Sequence, residues 1–191
     1  MTGRIVILNG VPRSGKSSIA RALQGRDAGW INLGVDAFMA ATPEYLRPGI
    51  GLRPGGERPD LEPQVQRLYG ALFAAIAGMA RSGADVVSDL GLHDGYSRPL
   101  GIVELMRATL AGLPLLLVGV RSPIDVIMAR RNADPQGGFY AAGEGVPAPV
   151  QRWQDSVHRD MTYDLEVDTG VMSPEDCVEV ILAKLRSPGE I

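Results

Sequence analysis

The chain opens on Ile5-Val-Ile-Leu8, an unbroken apolar run that predicts a strand buried on both faces. Apolar residues then recur at helical spacing from Ser18 to Gln24 (Ile19, Ala20, Leu23), with Gly25 as the expected stop. Trp30 to Val35 reads as a second strand ending at Asp36, and Ala37 to Ala41 suggests a short helix that Asp36 could equally cap. Val65, Leu68, Leu72, Ile76 and Met79 predict a helix from Glu62 to Arg81, closed by Ser82-Gly83. Asp85 to Asp89 is a short strand, residues 99–111 a helical stretch, and Pro114 to Val120 a buried strand with Arg121 at its end. Ser122 and Pro123 read as N-cap and first position of a helix running to Arg131. A polar helix from Gln151 to Arg159 and a last strand from Tyr163 to Thr169 follow. Ser173-Pro-Glu-Asp176 is a capping-box start for a final helix that buries Val178, Ile181, Leu182 and Leu185.

Strands that alternate with helices predict an α/β fold: three layers, doubly wound, around a five-stranded parallel sheet. Right-handed crossovers put every strand's carboxyl end on one edge. Two stretches break the alternation. Residues 42–63 are rich in Pro and Gly and carry Arg47, Arg53 and Arg58, which reads as a variable insertion on the acceptor side of a site. Residues 132–149 are similarly composed and belong to a lid region spanning 130–152.

With 191 residues, 45% hydrophobic and 21% charged, the chain suits one domain, 1–191. A net charge of −3 without long charge runs gives no support to nucleic-acid or membrane partners. Cys177 sits among apolar residues of the last helix, as a buried structural thiol does. The longest apolar run, Leu113 to Val120, is too short to span a bilayer, and residence in the cytoplasm is the expectation.

Between the first strand and first helix lies Gly10-Val-Pro-Arg-Ser-Gly-Lys-Ser17, which fits G-x-x-x-x-G-K-[ST]. Glycines let backbone N–H groups approach phosphate oxygens, Lys16 places a charge at the outer phosphates, and the Ser17 hydroxyl can reach Mg²⁺. Gly10, Val11, Pro12, Arg13, Ser14, Gly15, Lys16, Ser17 and Ser18 are therefore the expected nucleotide-binding residues. The following helix points its positive end at the anion.

Such a loop specifies nucleotide binding without specifying a reaction. Phosphoryl transfer also needs a group to orient or deprotonate the accepting hydroxyl, and Asp36 and Asp89, at two strand ends, can supply it. It further uses cations over the transferred phosphate, for which Arg130, Arg131 and Arg152 are candidates. His93 and Asp94 fall in a glycine-containing turn and read as exposed, with His93 a minor acceptor-side candidate. A nucleotide-dependent switch is the competing class, although Asn-Lys-x-Asp is absent and Asp89-Leu-Gly-Leu is not Asp-x-x-Gly.

Ile-Leu-Asn-Gly running into the loop, Gly34-Val-Asp36, the strand ending at Asp89, Val118-Gly-Val-Arg121 and Tyr163-Asp-Leu-Glu-Val-Asp-Thr169 together resemble the chloramphenicol phosphotransferase family. The resemblance is collinear over nearly the whole chain. It implies a P-loop kinase fold and transfer from ATP or GTP, with Mg²⁺, to a hydroxyl of a small molecule, an antibiotic first and a nucleoside-like metabolite as the alternative. It implies Asp36 as the base and Asp89 as the second acidic residue, orienting acceptor or metal. In the lid, Arg130 alone is in register with the family's arginines, because this chain reads Ala133-Asp-Pro-Gln-Gly137 where the family has Arg-Gly-Asp-Arg.

Overall fold

The computed structural model describes residues 1–45, 52–134 and 144–187. Arg47, within the acceptor-side insertion, and residues 135–143 of the lid region lie outside them. Five parallel strands form one sheet: β1 (Ile5–Asn9), β2 (Ile31–Asn32), β3 (Val86–Leu90), β4 (Leu115–Arg121) and β5 (Leu165–Asp168), in the order β2-β3-β1-β4-β5. Because β1 lies between β3 and β4, the winding reverses at its carboxyl end, and that reversal opens the crevice in which such sheets take their ligands.

The two faces of β1 explain its unbroken apolar run. Ile5 and Ile7 join one core with Val86, Leu117 and the helices α3 (Glu62–Arg81) and α4 (Ile102–Thr109). Val6 and Leu8 join the other with Val87, Val118, Val120 and the helices α1 (Lys16–Arg26) and α7 (Pro174–Arg186). Each large side chain buried this way contributes roughly 1.5–3 kcal/mol relative to exposure. Among the described residues, α2 (Val35–Ala40), α5 (Ile124–Ala133) and α6 (Ala148–Ser156) complete the helices, and Val11, Ile127, Trp153 and Val157 pack together beside the loop after β1.

Several sequence expectations are met by their stated causes. α3 spans Glu62 to Arg81, and Gly83, at φ +96°, turns the chain after it. Ser173 and Asp176 form a reciprocal capping box at α7. Cys177 is buried, and that burial pushes its thiol up to about 11.

Others shift. β2 is two residues long, ending well before Asp36, because its ladder pairs only Ile31 and Asn32 with β3. The chain turns at Gly34, so Asp36 lies in the first turn of α2, and Gly34 takes the N-cap position in place of Asp36. α5 starts from Pro123, and Ser122 makes no cap; its Oγ instead lies 3.3 Å from Arg130 Nη1. His93 is buried, in contrast to its expected exposure. Its ring stacks on Tyr96 and meets Trp153 edge-on. The Gly95 amide donates to Nδ1 at 3.1 Å, so Nε2 carries the proton and donates to the Leu52 carbonyl at 3.2 Å. Burial lowers the ring's pKa to about 4, and His93 is a neutral strut under the acceptor-side loop.

Candidate active site

Glycine is required at two points of the loop between β1 and α1. A Cβ on Gly10 would stand 2.6 Å from both the Ser14 hydroxyl and the Val120 carbonyl, and Gly15 has φ +94°. Arg13 is also left-handed, at φ +68°, an uncommon conformation for a residue with a side chain. Long-range contacts brace this geometry. Arg13 pairs with Asp134 at 2.8 Å, and the Thr169 hydroxyl donates to the Ser14 carbonyl at 2.7 Å. Arg130 reaches the Thr169 carbonyl at 2.7 Å, the Thr169 hydroxyl at 3.0 Å and the Arg13 carbonyl at 3.2 Å.

Asn9 fixes the strand end that feeds the loop. Its Oδ1 accepts from the Leu92 amide at 2.6 Å, and its Nδ2 donates to the Val157 carbonyl at 3.2 Å and the Tyr163 hydroxyl at 2.9 Å. Tyr163 then donates to His158 Nδ1 at 2.7 Å. The assignment fits a neutral imidazole, whose pKa is lowered to about 4 by burial and then by the Arg121 charge. Gly119 makes room for the tyrosine, since a Cβ there would lie 2.7 Å from its ring.

A cavity of about 1040 Å³ opens over the loop, lined by Lys16, Ser17, Asp36, Asp89 and Arg130 among others. The two aspartates thus meet, although β2 flanks β3 and not β1. The turn at Gly34 brings them together. A Cβ on that glycine would fall 1.7 Å from Asp89 Oδ1, so the backbone passes directly over the Asp89 carboxylate. Ser17 donates to Asp89 Oδ2 at 2.6 Å. Hydroxyl and carboxylate oxygens side by side at the mouth of a phosphate-sized loop suit Mg²⁺, which needs few protein ligands when phosphates and water complete its shell. Among the described residues no three or more His, Cys, Asp or Glu cluster as a self-sufficient metal cage.

Lys16 is half-buried and donates to the Val11 carbonyl at 2.7 Å. Desolvation lowers its pKa to about 8, against the opposing pull of Asp89 and then Asp36. A bound triphosphate favours the charged form again. At pH 9, where the lysine of the empty site is mostly neutral, nucleotide binding therefore takes up roughly one proton, and at pH 7 very little. Affinity declines as pH rises above 8. Calorimetry in buffers of different ionisation enthalpy reads both, and a pH-independent proton count would refute the lowered lysine.

Of the three arginines expected over the phosphate, only Arg130 lines the cavity. Arg131 is buried beside Val11, Ile127 and Trp153, and Arg152 pairs with Glu57 of the acceptor-side loop. Arg53 also pairs with Glu57, at 3.1 Å, and Arg58 with Asp60 at 2.8 Å. Thr169, Gly34, Tyr69 and Trp153 are site residues that sequence reasoning missed. Thr169 stood at a strand's carboxyl end and Gly34 within the Gly-Val-Asp motif, which were usable signals; Tyr69 and Trp153 gave none, because partners distant in sequence define them.

Among solved structures, the chain is similar to a sugar kinase from Janibacter sp. HTCC2649, with 20% identity, TM-score 0.66, and 96% of this chain and 95% of that one covered. It is similar to the Mycobacterium tuberculosis APS kinase in complex with AMPPNP and APS, with 17% identity, TM-score 0.68, and 97% and 99% covered. The Deinococcus radiodurans tunicamycin resistance protein matches with 16% identity, TM-score 0.64, and 96% and 95% covered. No sequence among curated proteins matches the chain. These likenesses identify an α/β P-loop kinase fold. The family model described as chloramphenicol phosphotransferase-like protein matches residues 3–186, and the chain belongs to that family of small-molecule phosphotransferases.

Proposed function

We propose that this protein transfers the γ-phosphoryl group of ATP or GTP to a hydroxyl of a small molecule, with an antibiotic as the favoured acceptor. The observation that carries the reading is the meeting of Lys16, Ser17, Asp36 and Asp89 on one cavity. The donor's phosphates lie in the Gly10–Ser18 loop, where backbone amides and Lys16 hold them. Ser17 and Asp89 would hold Mg²⁺, which supplies charge neutralisation on the phosphates. Asp36 receives the hydroxyl proton while the acceptor oxygen bonds to the γ-phosphorus and the bond to the β–γ bridging oxygen breaks, releasing the nucleoside diphosphate. Arg130, pinned by Thr169 and the Arg13 carbonyl, offers a fixed positive charge at the loop. The acceptor enters at the end of the cavity beside Asp36, walled by Val35, Met39 and Tyr69. The family's description and the tunicamycin resistance protein among the fold neighbours support an antibiotic as the acceptor class.

The test is a transfer assay with γ-labelled ATP or GTP, Mg²⁺ and a panel of hydroxylated antibiotics and nucleosides. Label on an antibiotic is the expected result. Label on nucleosides alone would assign a metabolite kinase instead, and nucleotide hydrolysis stimulated only by a protein partner would overturn transfer in favour of a switch.

A further inference from the structure

The cavity has two ends, set by the sheet order. Towards β5 and α7 it is walled by Arg21, Thr169, Met172 and Pro174, and towards β2 and β3 by Val35, Met39, Tyr69, Leu90, Gly91 and Trp153. The second end adjoins Asp36 and Asp89 and is mainly apolar. None of its described lining residues is a lysine or arginine; the cations of the cavity, Arg13, Lys16, Arg21 and Arg130, come from the loop, α1 and α5.

Its wall holds one hydrogen-bonding group that the fold leaves unused, beside an indole that shapes the space. Tyr69 is 2% exposed, its ring stacks on Phe73 at 5.6 Å, and its hydroxyl makes no hydrogen bond among the described residues. Burial raises its pKa well above the ordinary phenol range, so the hydroxyl keeps its proton. Trp153 is buried over Gly91. Buried donors are nearly always satisfied in folded proteins, and the Tyr69 hydroxyl, left without a protein partner on the cavity wall, points to a ligand that completes it. Asp36 and Asp89 outnumber Lys16, the cation they share, and the donor phosphates engage that same lysine; the excess negative charge disfavours an anion there, and the apolar walls disfavour a strongly hydrated cation.

We propose that Tyr69 is the specificity-determining residue of the acceptor end, donating its hydroxyl hydrogen to an oxygen of an uncharged, largely apolar acceptor whose space Trp153 also bounds. The inference rests on the phosphotransfer reading for the acceptor's presence, and its test is separable from that reading. Dissociation constants are measured by calorimetry on the full chain saturated with AMPPNP and Mg²⁺, using chloramphenicol and thymidine as uncharged probes, shikimate as an anionic one and kanamycin as a cationic one. An uncharged probe binds tightest. Tyr69→Phe weakens it roughly 10–100-fold, the range expected when a buried polar partner is lost. Affinity for AMPPNP is retained, and the change vanishes for an analogue of that probe lacking the oxygen that Tyr69 contacts. Phe73→Leu, which loosens the packing beneath the ring but keeps the hydroxyl, leaves probe affinity nearly unchanged.

Equal affinity in wild type and Tyr69→Phe overturns the assignment, as does an equal loss in Phe73→Leu, preference for shikimate or kanamycin, or failure of every uncharged probe to bind. A probe that binds through Tyr69 but receives no phosphoryl group refutes the transfer reading and leaves this one standing. A probe phosphorylated with the same kcat/KM in both proteins does the reverse.

Discussion

Replacing Asp36 by asparagine lowers phosphoryl transfer roughly 10²–10⁴-fold, the usual contribution of a positioned acid or base. The substitution keeps shape and hydrogen-bonding capacity but removes the acceptor of the hydroxyl proton. Nucleotide affinity stays within a few-fold of wild type, because Asp36 sits on α2, outside the phosphate loop, in a turn supported by the backbone at Gly34. The loss appears in kcat with acceptor bound, whereas calorimetry with AMPPNP changes little. Near-normal turnover of Asp36→Asn would remove the aspartate from the chemistry and leave Asp89 to be tested in its place. Asp89 is less suited to the role, since it is engaged by Ser17 and overlaid by the Gly34 backbone.

Lys16→Ala weakens nucleotide binding and abolishes transfer. A charge-assisted hydrogen bond to phosphate contributes about 1.5–3 kcal/mol, which corresponds to a loss of roughly 10–150-fold in nucleotide affinity. Transfer falls further, because the same charge stabilises the phosphate oxygens as the bond to the leaving group lengthens. The two carboxylates on the cavity, deprived of their cation, also repel the incoming triphosphate. Unchanged AMPPNP affinity would count against the phosphate loop itself. Folding responds in the opposite sense. The folded-state pKa of Lys16 is lowered from 10.5 to about 8, so holding it charged opposes folding fully below about pH 8, and that cost fades as pH rises towards 10.5. The alanine variant therefore melts no lower than wild type at neutral pH, although it is inactive.

The contrast between Lys16 and the acceptor end says what a sequence can disclose. The loop was legible because its chemistry is local: glycines, lysine and serine at fixed spacing between a strand and a helix carry their own geometry. α3 and the Ser173 cap were legible for the same reason, being decided by neighbours within one or two turns. Asp36 was named from the sequence but misplaced in structure. The run Trp30 to Val35 reads as a strand, yet β3 pairs only with Ile31 and Asn32 before the turn at Gly34. Arg152 looked like a phosphate ligand until Glu57, 95 positions away, claimed it. His93 looked exposed because nothing near it in sequence announces Leu52 and Trp153 as its surroundings. Tyr69 gave no signal at all, since at helical spacing it reads as one more core residue of α3, and only the cavity distinguishes it.

The hydrogen bonds that Lys16 makes to the Val11 carbonyl and Ser17 makes to Asp89 have a kinetic consequence. An incoming ligand must displace both, exchanging one interaction for another before it gains anything. Inorganic phosphate, with few contacts to offer in return, gains little from that exchange, whereas a magnesium-bound triphosphate replaces the lost bonds and adds many more. The resting loop thus acts as its own competitive inhibitor. It screens out the small anions that crowd a cell, and it makes nucleotide capture a two-step event whose observed rate levels off at high concentration, limited by the release of those two side chains.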